Sequence, residues 1–186
     1  MTRSRRTALS TKMLVLASFF VGINIILSRV GAIMLFHNSV RLSFGNIPLI
    51  MAGLLLGPAA GLMTGIVSDV LGFLINSHGG AYHPGFTLSA GLTGLIPGLI
   101  MLLSIRRGRS IFSLANVVLA NVVVYLFISG LLNTLWLTHL LGTGFWVLFP
   151  ARLASHGFVT VINTLLTYAL IKSFQRSNLL SDLQHE

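Results

Sequence analysis

Six apolar runs follow one another along the chain, at about 12–30, 44–57, 58–75, 86–105, 111–137 and 147–174, and none carries more than two charged side chains. A helix needs roughly 20 apolar residues to cross the hydrocarbon core of a bilayer. The pattern therefore predicts an all-α integral membrane protein with six transmembrane helices. The second run is short and contains Pro48. Gly57-Pro58 leaves almost no loop before the third. Proline lacks an N–H and suits the first turn of a new helix, so these two runs are expected to form an antiparallel hairpin. Composition agrees: 8% of residues are charged, against about 25% in soluble domains. The 54% that are hydrophobic exceed what one soluble core of this length hides.

Lys and Arg set the orientation, because they concentrate in cytoplasmic loops. With the N-terminus inside, the inner side holds Arg3, Arg5, Arg6, Lys12, Arg106, Arg107, Arg109, Lys172 and Arg176, nine of the twelve. Only Arg29, Arg41 and Arg152 stay outside. Both termini are then cytoplasmic. The net charge of +9 follows from these loop clusters, so no nucleic-acid partner is expected; the lipid bilayer is. A basic tail over 1–11, one membrane domain over 12–176 and a polar tail over 177–186 account for the chain. The first apolar run is too long for a secretory signal core and reads as a retained helix.

Several chemistries are excluded. There is no cysteine, hence no disulfide, thiolate metal site or thiol nucleophile. No Walker A pattern, G-x-S-x-G elbow or H-E-x-x-H spacing occurs, so no metal or cofactor is expected. Ser89 with His156 offers an intramembrane serine protease dyad as an alternative, although no oxyanion-hole donors accompany it. A stand-alone secondary transporter is a further alternative, but no internal repeat of the kind common in such transporters is visible.

Small residues recur at four-residue spacing: Gly53, Gly57, Gly61 and Gly65, then Ala90, Gly94 and Gly98. Such a stripe lies on one helix face and lets helices approach closely in lipid. Internal packing explains most of it. The shorter pair Ser18 and Gly22 on the first helix is a candidate for docking a partner protein.

Asp69 is the only acid within the membrane region. It sits six residues before the outer end of the third run, roughly 9 Å down at 1.5 Å per residue. An ionisable group there is expensive unless paired, and marks a functional site by default; a structural ion pair with an outer arginine is the alternative. Arg29, Arg41 and Arg152 cluster near the outer helix ends, where guanidinium groups match the carboxylates of an anionic ligand. Around the same mouth lie Phe44, Asn46, Tyr82, Phe86, Asn133 and Trp136. Arg152 and His156 share a face of the sixth helix. Rings beside amides suit a flat heterocycle. His37, His78, His83 and His139 fall in expected outer loops and read as solvent-exposed.

The stretches Arg41-Leu-Ser-Phe-Gly-Asn-Ile-Pro48, Gly57-Pro-Ala-Ala-Gly-Leu-Met-Thr-Gly65, Ser68-Asp69 and Tyr82-His-Pro-Gly-Phe-Thr-Leu-Ser-Ala90 resemble the substrate-binding S components of energy-coupling factor (ECF) vitamin transporters. Leu132-Asn-Thr-Leu-Trp136 and Arg152 support the resemblance, which is greatest to the folate-specific members. It implies a six-helix fold in a bacterial cell membrane, with an outward-facing ligand pocket closed by the loop between helices one and two. It also implies partners: a transmembrane coupling subunit and two ATPases, which would supply the energy this chain cannot. The family often carries Ala-x-x-x-Ala on helix one as the coupling contact. Here the nearest patterns are Ala17-x-x-x-Val21 and Ser18-x-x-x-Gly22. Folate fits the residues, with Asp69 accepting from the pterin and arginines meeting the glutamate tail. Another anionic vitamin such as pantothenate is the alternative within the class.

Overall fold

The computed structural model describes residues 11–30, 33–35, 40–42, 44–77, 81–108 and 113–176. Its membrane body is helical. Helix α1 (Thr11–Ile25) ends in a π-helical turn, Ile26–Val30. Then come α2 (Asn46–Leu56), α3 (Pro58–Ile75) and α4 (Pro84–Arg106). Helix α5 (Leu114–Val123) continues through a π-helical segment, Val124–Leu132, into α6 (Asn133–Leu141), and α7 (Phe145–Arg176) closes the chain. Taking α5 to α6 as one span, five helices are long and apolar enough to cross a membrane.

Helix α2 is the exception. Its 11 residues rise about 16 Å, roughly half of the hydrocarbon core. Every residue from Ile47 to Leu54 is buried, as is Leu56. A helix apolar on all sides belongs in a core, and α2 supplies Ile47, Ile50, Met51, Ala52, Leu54 and Leu56 to the main apolar cluster, with Val117, Val124, Ile128 and Ile171 opposite.

The hairpin between α2 and α3 forms as expected. Gly57 takes φ +93°, which a side chain rarely tolerates, and Pro58 opens α3. The pair of helices then docks on α4 with almost no space between backbones. A Cβ on Gly61 would overlap the carbonyl of Gly94, and one on Gly65 the carbonyl of Ala90. A Cβ on Gly98 would collide with the backbone of Gly57 and Pro58. The glycine stripes read from the sequence are thus internal: Gly53 of α2 packs on Gly94 and Gly98, and the α3–α4 seam runs antiparallel from Pro58 against Gly98 to Asp69 against Thr87.

One departure from an all-helical chain occurs between α1 and α2. There β1 (Ile33–Leu35) and β2 (Val40–Leu42) pair antiparallel, with Met34 opposite Arg41. The fifth span stays helical but widens into a nine-residue π segment. It packs on α7, where the Tyr125 hydroxyl donates to the carbonyl of Leu153, and Gly157 leaves room for the ring.

Candidate ligand-binding site

A cavity of about 440 Å³ opens among α1, α2, α3, α4 and α6, within the usual range for small-molecule sites. It lies at the Pro84 end of α4, away from Arg106 and Arg107. Its wall takes Asn24, Ser28 and Arg29 from α1 and its π turn, Asn46 and Leu49 from α2, and Ser68, Asp69 and Phe73 from α3. Tyr82, His83, Phe86, Ser89 and Thr93 come from the start of α4, and Asn133, Leu137 and Leu140 from α6.

Asp69 is held rather than free. The seam of small residues brings α3 against α4, so that Thr87 Oγ1 donates to Asp69 Oδ2 at 2.7 Å. The Tyr82 hydroxyl lies 2.8 Å from the same Thr87 oxygen. Arg29 Nη2 stands 3.5 Å from Asp69 Oδ1, with both side chains less than one-fifth exposed. That separation exceeds a normal charged hydrogen bond, so Oδ1 keeps acceptor capacity beside a cation. Arg29 itself crosses Gly72, where a Cβ would lie 3.0 Å from Nε, and donates from Nη1 to the carbonyl of Asn76 at 3.0 Å.

Two further polar groups of the wall are buried without a hydrogen bond. Ser68 is 2% exposed, and its Oγ has no hydrogen bond. Asn133 Oδ1 is likewise buried without one. Buried polar atoms without partners are rare in folded proteins, and both residues line the cavity. Asn24, by contrast, is satisfied: its amide donates to the Gly45 carbonyl at 2.6 Å, fixing α1 to the start of α2.

The residues singled out from sequence divide accordingly. Asp69, Arg29, Tyr82, Phe86, Asn133 and Asn46 meet at the cavity. Phe44 packs on the apolar cluster and is not on the wall. Trp136 stands behind the wall: its indole donates to Ser89 Oγ at 3.1 Å, and its ring lies 5.5 Å from His83. Arg152 and His156 sit on α7, which contributes nothing to the described wall; Arg152 Nε is buried without a partner. Ser89 and His156 are therefore not brought together as a protease dyad. Arg41 lies in β2, its side chain outside the described residues, as are His37 and His78. His139 is exposed in α6. His83 departs from the exposed-loop expectation, since it is half-buried in the cavity wall. On α1, Ser18 and Gly22 are exposed, while Ala17 packs toward the core. No cluster of metal-ligating side chains occurs among the described residues.

The family model for the S component of ECF-type riboflavin transporters matches residues 8–173. The chain belongs to that family. This S component is thus a substrate-binding subunit of a bacterial membrane transporter and not an enzyme. It is similar to the folate transporter FolT of Clostridium novyi (strain NT), 33% identical over 142 residues, which cover 76% of this chain and 78% of that one. Among solved structures, FolT bound with folic acid superposes with a TM-score of 0.71 at 28% identity, covering 89% of this chain and 95% of that one. The S component of a bacterial ECF transporter gives a TM-score of 0.60 at 20% identity, covering 88% and 97%, and shares the fold.

Proposed function

We propose that this S component binds folate in the cavity around Asp69 and delivers it across the membrane. The observation that carries the reading is the Asp69 carboxylate, presented at a cavity wall with one oxygen hydrogen-bonded to Thr87 and the other facing Arg29. A pterin offers two adjacent donors, N3–H and the 2-amino group, and one carboxylate accepts both. The imide edge of a flavin offers one donor between two carbonyls, so a carboxylate would meet a lone pair on either side. Unpaired like dipoles in a buried site cost affinity. Folate therefore fits this wall better than riboflavin. Phe86, Tyr82 and Phe73 supply rings for the heterocycle. Arg29, 3.5 Å from Asp69, stands at the pterin end of this arrangement, which leaves Arg41 and Arg152 as the candidates for the carboxylates of the ligand's tail.

The cavity faces outward in this reading and both termini are cytoplasmic, because the opposite end of α4 carries Arg106 and Arg107. Coupling to a transmembrane subunit and two ATPases provides the energy, and this chain reorients with its ligand. Ser18 and Gly22 offer a small-residue contact on α1: both are exposed, and no atom lies within 4 Å of a Cβ placed on Gly22. Ala17, turned toward the core, contributes less.

The test is calorimetric titration of the purified protein with folic acid, riboflavin, thiamin, biotin and pantothenate. Folic acid is expected to bind tightest. Tighter binding of riboflavin or pantothenate would overturn the folate reading.

A further inference from the structure

We propose that His83 donates a hydrogen bond from Nε2 to the ring carbonyl of the bound pterin, making it a specificity-determining residue of the site. The inference rests on the folate reading and names a second recognition contact within it.

His83 immediately precedes Pro84, the first residue of α4, and acts as its N-cap: Nδ1 accepts the backbone N–H of Gly85 at 3.1 Å. A ring nitrogen that accepts carries no proton, so the neutral imidazole is protonated on Nε2. The cap thereby selects the tautomer. The ring is also clamped. Trp136 lies 5.5 Å away at 35° and Phe86 5.8 Å away at 70°. Trp136 is itself held by Ser89 and by Gly85, where a Cβ would lie 2.7 Å from the indole Cε2. The tryptophan that reads from sequence as a ligand-stacking ring is a positioning residue for His83. No described residue accepts from Nε2.

The placement matches one ligand edge. His83 lies four residues before Thr87, about 6 Å along the α4 axis, and Thr87 holds Asp69. The wall therefore offers an acceptor pair and, one turn away, a fixed neutral donor. A pterin edge reads 2-amino, N3–H, then C4 carbonyl: two donors followed by an acceptor. Asp69 takes the donors, and the imidazole N–H takes the carbonyl. A neutral donor suits a carbonyl, whose charge is partial. A tail carboxylate is the charged acceptor that competes for such a donor, and the experiment separates the two.

His83→Asn retains a side-chain oxygen able to cap Gly85, since asparagine is among the best N-caps, but removes the ring donor. Calorimetry with folic acid and with 6-methylpterin, which has the same ring and no carboxylate, is expected to show both weakened by the same factor, about tenfold to a hundredfold. The melting temperature of the empty protein should stay near the parent value. Unchanged affinity would overturn the inference, and so would a loss seen with folic acid alone. Imidazole ¹⁵N spectra of the parent give a second measurement that needs no variant. Nε2 should be the protonated nitrogen in the empty protein, and its resonance should shift when folic acid binds; a protonated Nδ1, or an unmoved Nε2, would overturn it. Failure of the parent to bind folic acid would overturn the folate reading and this contact together. Tight binding by both parent and variant overturns the contact alone.

Discussion

Gly65 does not line the cavity, yet replacing it by alanine perturbs the site through the helix seam. A Cβ there would lie 2.8 Å from Gly91 Cα and overlap the carbonyl of Ala90. Carbon contacts settle near 3.5–4.0 Å, so α3 and α4 must part by roughly 1 Å. Both obstacles are backbone atoms, and no rotamer change relieves them. Overpacking of this kind costs about 1–3 kcal/mol. Asp69 lies one turn further along the same face of α3, and its 2.7 Å bond from Thr87 would lengthen to roughly 3.7 Å, beyond hydrogen-bonding distance. Losing a hydrogen bond to a charged group is worth about 1.5–3 kcal/mol, or tenfold to over a hundredfold in affinity. Gly65→Ala should therefore lower both the melting temperature in detergent and the calorimetric affinity for folate. Gly22→Ala is the control, because its Cβ enters open space, and it should match the parent in both. A Gly65→Ala protein that melts and binds like the parent would refute the claim that backbone contact along this seam sets the position of Asp69.

The arginines should separate by alanine substitution. Arg29→Ala removes the cation beside Asp69 and is expected to weaken folate binding about tenfold or more, and equal affinity would remove Arg29 from the ligand site; Arg152→Ala, off the described wall, should have the smaller effect. Gly22→Leu should block assembly with the coupling subunit while leaving folate affinity intact, since a bulky side chain holds helices apart; loss of both would mean that Gly22 packs inside the bundle. Cysteines placed singly at Arg107 and Thr143 of this cysteine-free chain should label from opposite sides of the membrane, and labelling of both from one side would reverse or break the proposed topology.

The spans were legible because hydrocarbon imposes length and apolarity directly on the sequence. The Gly57-Pro58 turn and the α3–α4 seam were legible for the same local reason: small residues at four-residue spacing mean close backbones. Asp69 stood out as a lone acid in an apolar run. The β1–β2 hairpin escaped because Ile33–Leu35 and Val40–Leu42 are short and joined to longer apolar sequence. The π segment over Val124–Leu132 escaped because hydropathy does not distinguish one helical pitch from another. Tertiary placement was the larger gap. Trp136 and Phe86 look equivalent as rings near one mouth, yet Gly85 lets the indole slip behind the wall while Phe86 stays on it. Arg152 and His156 share a face of α7, but neither lines the described cavity. His83 carried a usable signal. A polar residue directly before Pro84 and an apolar run marks an N-cap, which ties a loop histidine to a helix end.

Asp69→Asn, titrated with folic acid, bears most directly on the recognition proposed for this site. The change keeps the size of the side chain and replaces one acceptor oxygen with a donor, which would face a donor of the pterin. Affinity should fall by about 2–4 kcal/mol, the cost of a lost hydrogen bond together with an unpaired buried group. Unchanged folate affinity, accompanied by a lowered melting temperature of the empty protein, would make Asp69 a structural partner of Arg29 and Thr87 and remove it from the ligand site.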